Sequence, residues 1–480
     1  MKSRDTSPLS FHKSSKQWHQ AGEAFALAQF HTAAKRVPAY KQFLKKQKIN
    51  PHRIKTITDF EQVPFIDKKN YIDVYPLSER IINGAFKNSL VINASSGTTG
   101  TPYFWPYGKD NFQDGAAIHE VILRDMFAIK KYTTLLIITF GMGTWVAGIY
   151  TFLSSFFVGQ KGYPLSIISP GLNKEETIRI LDTIAPLFEQ TIIAGYPTFV
   201  KDILELWRPH PAITRLKFLF AGEGYSETWR EYVLKLIKVK ETQMINILGS
   251  ADAAIMGFET PKSIALRKLA THNSSAGSEL FHSYRIPSIE NYIPTHRYFE
   301  SEKGELVLTA SSVTPLIRYN IHDNGGVYTS DEIEAICKEK RYILRYDKKN
   351  DYALPFVYVF GRGRFTATIY AGNIYPENVK EALLDKAIRK YVSGRFQLTT
   401  EFTKKQDHYL HLKIELAKTI DPSHELALRI ANTFVKTVKR INSEYNRIYQ
   451  EYGEKVKPVV ALYRYEDPTM FPSDKIRKTS

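Results

Sequence analysis

Between residues 135 and 248 the chain alternates short apolar runs with longer amphipathic stretches, and this alternation narrows the possible folds more than any other feature. Residues 135–140, 165–168, 191–194, 217–221 and 244–248 read as buried strands, and residues 89–94 as an earlier one. They are short, apolar, and bounded by Gly, Pro or polar clusters, as a strand covered on both faces must be. The intervening residues 111–128, 174–188, 198–207 and 227–239 carry helical periodicity. Strand and helix in alternation predict a largely parallel sheet with helices on both faces. Such a sheet binds ligands outside the carboxyl ends of its strands.

The flanks read differently. Residues 14–46 are helical, with Trp18, Ala21, Phe25 and Ala28 expected on one face; Pro38 ends that run and residues 40–44 start a second short helix. Past Pro261, residues 305–309, 316–319 and 326–329 suggest short strands of a β subdomain. Residues 331–340 are amphipathic, and residues 355–364 look like a hinge. Residues 376–390 (helix), 410–414 (strand) and 423–448 (one long helix) make a compact α+β unit. The expected fold is therefore α/β: a large N-terminal domain, residues 1–360, with mostly parallel strands flanked by helices plus a β subdomain, and a small mobile α+β C-terminal domain, residues 361–480.

Composition excludes several classes. The single cysteine, Cys337, precludes an internal disulfide and a cysteine-type zinc site, and fits a reduced, cytoplasmic setting. It sits in an amphipathic stretch and reads as a small buried side chain. The N-terminal residues 1–16 are polar, without the apolar region of a secretory signal, and no apolar run is long enough to span a membrane. The net charge of +17 favours anionic partners, but it is dispersed along the chain, so nucleic acid is not expected. The histidines form no metal-type cluster in sequence, and no Gly-x-Ser-x-Gly elbow points to a serine hydrolase.

The densest chemical signal is Ser95-Ser96-Gly97-Thr98-Thr99-Gly100-Thr101-Pro102, directly after a strand. Its glycines let the backbone bend tightly and present N–H groups, and its hydroxyls add further donors, which suits phosphate oxygens. It is not a Walker loop, because no Gly-Lys-Ser/Thr follows.

This loop resembles the phosphate loop of the adenylate-forming superfamily, which comprises acyl-CoA synthetases, peptide-synthetase adenylation domains and luciferases. More narrowly, Arg36-Val37-Pro38-Ala39-Tyr40, Asp59-Phe60 and Val63-Pro64-Phe65-Ile66-Asp67-Lys68 are similar to the opening of the phenylacetate-CoA ligase branch. Further landmarks follow in the family's order over nearly the whole chain. The resemblance implies that Ala194-Gly195-Tyr196-Pro197-Thr198 walls the acyl pocket, with Tyr196 and Pro197 against substrate. Ala221-Gly222-Glu223-Gly224 would be the turn beside the adenine. Ile247-Leu248-Gly249-Ser250-Ala251-Asp252 stands where the family has Tyr-Gly-x-Thr-Glu, which makes Asp252 the ligand of Mg²⁺ and places Gly249 and Ser250 at the nucleotide. Leu248 replaces the aromatic residue that stacks on adenine, and Ala251 replaces the threonine.

Arg318-Tyr319-Asn320-Ile321-His322-Asp323 resembles Arg-Tyr-x-Thr-x-Asp, and Asp323 would accept hydrogen bonds from the ribose. Gly361-Arg362-Gly363-Arg364 resembles the hinge motif Gly-Arg-x-Asp: Arg362 would contact ribose or phosphate, and Arg364 stands where the family has the hinge aspartate. Ala371-Gly372-Asn373-Ile374-Tyr375-Pro376 fits Gly-x-Asn-x-x-Pro in part. Ser473-Asp474-Lys475-Ile476-Arg477 resembles Ser-Gly-Lys-Ile-x-Arg, whose lysine neutralises charge during adenylation. The implied cofactors are ATP and Mg²⁺, with CoA as a co-substrate. The implied partners are a small carboxylic acid, aromatic in the branch named, and an acceptor. Three readings stay open: transfer to CoA, transfer to an amine, and nucleotide binding without catalysis. Pyrophosphate release separates the third from the others, and CoA dependence separates the first two. The sequence does not fix the acid or the oligomeric state.

Overall fold

The computed structural model describes residues 12–95, 103–283, 285–362, 367–370 and 372–471. The chain divides into two compact units: Met1–Ala94 with Phe104–Gly361, and Ser95–Tyr103 with Arg362–Ser480.

The larger unit begins with the helix Ser15–Arg36. Ser14 caps it, accepting from the Gln17 N–H while its own N–H donates to Gln17 Oε1 at 2.9 Å. The face it buries is Trp18, Phe25, Ala26, Phe30 and Ala33, with Gly22 packed on Pro294 and Tyr298. Ala28, expected on that face, is exposed: the stripe drifts one position as the helix advances. The helix Pro38–Lys46 follows.

A hairpin comes next, β1 (Val91–Ala94) against β2 (Phe104–Tyr107), antiparallel. The main sheet then runs through β3 (Thr134–Thr139), β4 (Leu165–Ile168), β5 (Gln190–Gly195), β6 (Arg215–Ala221), β7 (Glu241–Ser250), β8 (Ala254–Phe258), β9 (Ser288–Asn291), β10 (Arg297–Glu302), β11 (Glu305–Ala310), β12 (Leu316–Tyr328) and β13 (Phe356–Arg362). Among the described residues this is one eleven-stranded sheet, ordered β10-β11-β12-β13-β9-β8-β7-β6-β5-β3-β4. Strands β4, β3, β5, β6 and β7 pair parallel, and β3 and β5 are buried at every position. The helices Lys109–Glu120, Val146–Gly159, Lys174–Thr183, Pro197–Leu206 and Glu227–Leu236 accompany this part.

Several elements differ in detail from expectation. The strands after Pro261, β9 to β13, continue the main sheet beyond β8, which pairs antiparallel with β7 and with β9. Residues 316–319 and 326–328 belong to one strand, β12, whose pairing with β11 carries register shifts and whose Arg318 and His322 take left-handed φ values of 46° and 58°; Thr329 caps the helix that follows. Asn324-Gly325-Gly326 lies inside β12. Gly325 is needed there because a Cβ would collide with the Tyr358 carbonyl oxygen. Much of the expected hinge is strand β13, paired with β9 through residues 356–359. The stretch 111–128 is an α-helix to Glu120 and then a π-helix, Val121–Met126; the stretch 174–188 is α-helical to Thr183, with a 3₁₀ turn at Ala185–Leu187 where Pro186 intervenes.

The smaller unit has a hairpin, β14 (Ala367–Ile369) with β15 (Gly372–Ile374), and a three-stranded sheet of β16 (Val392–Phe402), β17 (His408–Leu416) and β18 (Val459–Tyr463). Strand β17 pairs antiparallel with β16 and parallel with β18. The helix expected over 376–390 ends at Leu383. The long helix expected over 423–448 is two, His424–Ile441 and Ser443–Tyr452. Asn442 breaks it: its Oδ1 accepts from the Tyr445 N–H at 3.0 Å, and its Nδ2 donates to the Asn373 carbonyl at 2.8 Å and to Asn378 at 2.9 Å. Ile374, Leu412, Ile414, Ile430 and Phe434 lie in the core of this unit. Among the described residues no helix is long and apolar enough to cross a membrane.

Candidate active site

Parallel strands put their carboxyl ends along one rim of the sheet, and the loops leaving that rim carry the residues singled out by sequence. At the end of β5 the chain turns at Tyr196, and Pro197 opens the next helix, where its missing N–H costs nothing. The Tyr196 ring meets Phe140, just beyond β3, edge-on at 5.1 Å. At the end of β6, Gly222 takes φ +83°, a left-handed turn that glycine enters without strain. That turn delivers Glu223, only 6% exposed. One of its oxygens, Oε2, accepts from the Thr198 hydroxyl and from the Thr198 N–H at 3.3 Å, so it caps the helix begun by Pro197. Its other oxygen, Oε1, is buried and has no hydrogen-bond partner among the described residues. A buried carboxylate oxygen left this way is an acceptor awaiting a donor.

The turn from β7 to β8 carries Asp252, 9% exposed. Its Oδ1 accepts from the Ser250 hydroxyl, and its Oδ2 accepts from the Tyr319 hydroxyl at 2.9 Å. Three side chains hold the turn in shape, two of them, Tyr107 and Arg297, buried. Tyr107 donates to the Ala251 carbonyl at 2.8 Å, and burial holds its phenol well above the usual tyrosine range. Arg297 donates to the Ala253 and Ile255 carbonyls at 2.9 Å each. Ser250 accepts from the Ala253 N–H at 3.2 Å. Close approach limits the neighbouring position too: a Cβ on Gly249 would stand 3.0 Å from the Ala254 carbonyl oxygen.

Strand β12 brings in the second motif. Its Tyr319 reaches Asp252, while Arg318, with its left-handed φ, turns the other way. The Arg318 guanidinium donates to the Glu61 carbonyl and to the Val63 carbonyl at 2.5 Å, pairs with Glu300 at 2.9 Å, and lies 4.7 Å from the Phe65 ring centre. The backbone completes the clasp: Ile66 N–H donates to the Arg318 carbonyl at 3.1 Å and Asn320 N–H to the Ile66 carbonyl at 2.9 Å. The opening segment Val63 to Ile66 thus serves to fix the strand that bears Tyr319. Asp323 lies half-buried in β12, four residues beyond Tyr319, and not in a turn.

The structure therefore gathers Ser250, Asp252 and Tyr319 into one cluster, and Tyr196, Pro197 and Glu223 into another around Thr198. Ser95 closes the neck of the hydroxyl-rich loop: its N–H donates to the Tyr103 carbonyl at 2.7 Å and its hydroxyl accepts from the Tyr103 N–H at 3.1 Å. Ser96, Gly97, Thr98, Thr99, Gly100, Thr101, Arg364 and Lys475 lie outside the described residues, as does the side chain of Arg362 at the end of β13. Sequence reasoning missed Tyr107, Arg297 and the link from Tyr319 to Asp252. No local pattern marks the first two, and the third joins residues 67 positions apart.

No family model matches the chain. The phenylacetate-coenzyme A ligase of Thermus thermophilus is 24% identical over 356 residues, 73% of this chain and 71% of that protein. The enzyme of the same name from Pseudomonas putida is 22% identical over 356 residues, 72% and 71% of the two chains. Among solved structures, a 2-hydroxyisobutyryl-CoA ligase in complex with 2-HIB-AMP and CoA superposes with a TM-score of 0.64 at 14% identity, over 94% of this chain and 87% of that one. The same ligase in its postadenylation state gives 0.54 at 14% identity, over 97% and 90%. These likenesses show the fold, and in sequence the chain is similar to phenylacetate-coenzyme A ligases over 73% and 72% of its length.

Proposed function

We propose that the protein is an AMP-forming ligase that activates a small carboxylic acid with ATP and passes the acyl group to CoA. The observation that carries this reading is the hydrogen bond from Tyr319 to Asp252, which joins the two nucleotide motifs of the sequence in one buried cluster. In the first half-reaction a carboxylate oxygen attacks the α-phosphorus of ATP. An acyl–phosphate bond forms, the bond to the β-phosphate oxygen breaks, and pyrophosphate leaves. Chemistry of this kind rests on positioning and on stabilising charge. In the second half-reaction the acceptor attacks the acyl carbon, loses its proton, and releases AMP.

Each residue has a role in this reading. The loop from Ser95 to Thr101 cradles phosphate, with Ser96, Thr98 and Thr99 donating. Tyr196 and Pro197 bound the acyl group, and Gly222 and Gly249 let the backbone approach the nucleotide. Glu223 Oε1, which has no hydrogen-bond partner among the described residues, suits an amino donor such as that of adenine. Asp323 takes the ribose hydroxyls, and Arg362 binds ribose or phosphate. Lys475 neutralises the charge that builds at the α-phosphate.

Asp252 fits magnesium. A carboxylate offers about four lone-pair sites, and hydroxyl donors from Ser250 and Tyr319 fill two here. Magnesium takes one or two carboxylates together with substrate phosphates, so a single prepared carboxylate is an adequate protein share. When bound, the ion supplies positive charge against the phosphate oxygens.

Pyrophosphate exchange with a panel of aliphatic and aromatic acids tests the first half-reaction, and CoA-dependent AMP release tests the second. Exchange with one class of acid and release of AMP on adding CoA are expected. AMP release on adding amines instead makes the protein an amide-forming ligase. ATP binding with no exchange for any acid refutes catalysis.

A further inference from the structure

We infer that the helix Val146–Gly159 docks the protein on an anionic lipid bilayer, its aromatic stripe entering the surface while lysines beside it meet the headgroups. The helix is inside out. Ile149, Phe152, Leu153 and Phe156 recur at the spacing of one helical face, and a helix of a globular protein normally turns such a face to the core. Here none of the four is buried, and Phe156 is 45% exposed. The Phe152 ring stacks on Phe156 at 6.4 Å between centres, and Phe157 meets Phe156 edge-on at 6.1 Å, so the rings form one raft. The opposite face holds Gly148, Thr151, Ser154 and Ser155, all buried.

The inward residues are small because the helix Lys109–Glu120 comes close: a Cβ on its Gly115 would collide with the Ser154 hydroxyl. Smallness does not call for polarity. The Ser154 and Ser155 hydroxyls are buried with no hydrogen-bond partner among the described residues, a cost that alanine there would avoid. Nor does internal packing call for aromatic rings on the outside. The pattern suits a helix whose outer face is covered by something other than water. The surrounding sequence agrees: between Tyr132 and Asn173 the sole charged residue is Lys161, in a chain where 24% of residues are charged.

Charge selects the occupant. Lys161 leaves the end of the helix, its ammonium 2.5 Å from Glu120 and its side chain 40% exposed. Glu120 also faces Arg124 at 3.6 Å and accepts from the Tyr163 hydroxyl at 2.7 Å, so its negative charge is matched within the fold. Lys130, exposed beside Lys131, stands 6.0 Å from the Tyr163 ring centre. An apolar stripe flanked by lysines and a tyrosine is the arrangement that lies in the interface of an acidic membrane. A second copy of the chain fits poorly: it brings +17 against +17, and a twofold contact through this face gathers both sets of lysines. Pairing through the neighbouring edge is blunted as well, because β4 is four residues long and flanked by Pro164 and Pro170. Among the described residues no helix is long and apolar enough to cross, so the contact is with the bilayer surface.

The test is co-sedimentation of the full chain with vesicles of phosphatidylcholine alone, or of equal parts phosphatidylcholine and phosphatidylglycerol. The parent should bind the anionic vesicles, bind the neutral ones at least about tenfold more weakly, and be released as salt is raised. Phe152→Ser/Phe156→Ser should weaken binding to anionic vesicles on the order of 10–10²-fold, the scale of losing two partly inserted rings. Its unfolding temperature in solution should stay near that of the parent, because both rings face outward. Lys130→Glu/Lys131→Glu should weaken binding on the order of tenfold. Ile343→Ser removes a side chain that is 72% exposed outside this face, and should change binding by less than about twofold. No binding by the parent overturns the proposal, as does binding that the paired serine variant leaves unchanged or that Ile343→Ser weakens equally. So does a dimer, seen by analytical ultracentrifugation, that Phe152→Ser/Phe156→Ser dissociates, since the face would then be an interface between copies.

Discussion

The parallel and antiparallel halves of the large sheet contribute differently to the candidate site. The parallel half, β4-β3-β5-β6-β7, is regular, and it presents loops at one rim: Tyr196 after β5, Glu223 after β6, Asp252 after β7. The antiparallel half is irregular. Its strand β12 is thirteen residues long, with shifted register and two non-glycine residues at left-handed φ. Those irregularities free Arg318 to clasp the opening segment while Tyr319 reaches the rim of the other half. Regularity thus supplies a platform and irregularity aims the side chains. Strain at Arg318 and His322 is of the kind that folds keep where a side chain must point in a particular direction.

The largest effect should come from the platform. Asp252→Asn keeps the size of the side chain and an oxygen acceptor but removes the charge. Adenylation should fall on the order of 10²–10³-fold, the scale of losing one transition-state group, with the fold intact. Pyrophosphate exchange at saturating magnesium and ATP measures it. A variant as active as the parent would remove Asp252 from the site and leave the rim without its carboxylate.

The next test addresses the seam between the halves. Glu290 in β9 is buried beside Glu259, Asn246, Arg267 and Ser288; burial foremost, then the Glu259 charge, pushes its carboxyl up to about 7 from 4.5. The folded chain therefore keeps a proton that the unfolded chain releases. Stability from this group is present below the unfolded value and is lost as pH climbs through the folded one. Glu290→Gln has no such loss. Its stability relative to the parent should rise by about 3 kcal/mol between pH 4.5 and pH 8, at about 1.4 kcal/mol for each tenfold difference in proton affinity between the folded and unfolded chains. Urea unfolding at both pH values checks this, and parallel pH profiles for the two proteins would show that the seam carries no proton.

Asp323 samples the irregular half alone. Asp323→Ala removes a charged acceptor, worth about 1.5–3 kcal/mol, so ATP should bind ten- to about a hundredfold more weakly. Calorimetry decides, and unchanged affinity would make Asp323 only a strand residue.

What the sequence allowed follows the same division. In the parallel half both faces are covered, so residues 135–140 and 191–194 announce themselves as mostly apolar runs. In the antiparallel half, β9 carries polar residues, Asn291 and Glu290, that find partners only in the fold, and nothing local marks it as a strand. Asn324-Gly325-Gly326 has turn composition but lies within β12, where the close approach of the Tyr358 carbonyl is what requires Gly325. Asn442 likewise breaks a helical pattern through contacts to Asn373 and Asn378, more than sixty residues away. For the candidate site, motif order singled out Asp252 and Asp323, but which groups orient Asp252 depends on packing between distant strands.

Tyr319→Phe is the smallest change and the one that separates the halves most cleanly. It removes one oxygen and leaves the ring in its buried place. If Tyr319 only packs, stability should change little and catalysis not at all. If its hydroxyl orients Asp252, the carboxylate loses one of its two identified hydroxyl donors and keeps Ser250. The net stability cost should then be about 1 kcal/mol, the scale of one hydrogen bond. Freed of that donor, the carboxylate keeps its charge but turns more easily about its side-chain bonds. The magnesium concentration for half-maximal pyrophosphate exchange should rise several-fold, toward the roughly 10–100-fold range seen when a group that orients a metal ligand is lost. The rate at saturating magnesium should stay near that of the parent, because the ligand itself is still present. This split distinguishes orientation from ligation, since Asp252→Asn should lower the rate at every magnesium concentration. Should Tyr319→Phe depress the saturated rate as strongly as Asp252→Asn does, the hydroxyl would belong to the chemistry itself. Should it leave the magnesium dependence unmoved, the two halves of the sheet would share a core but not a site.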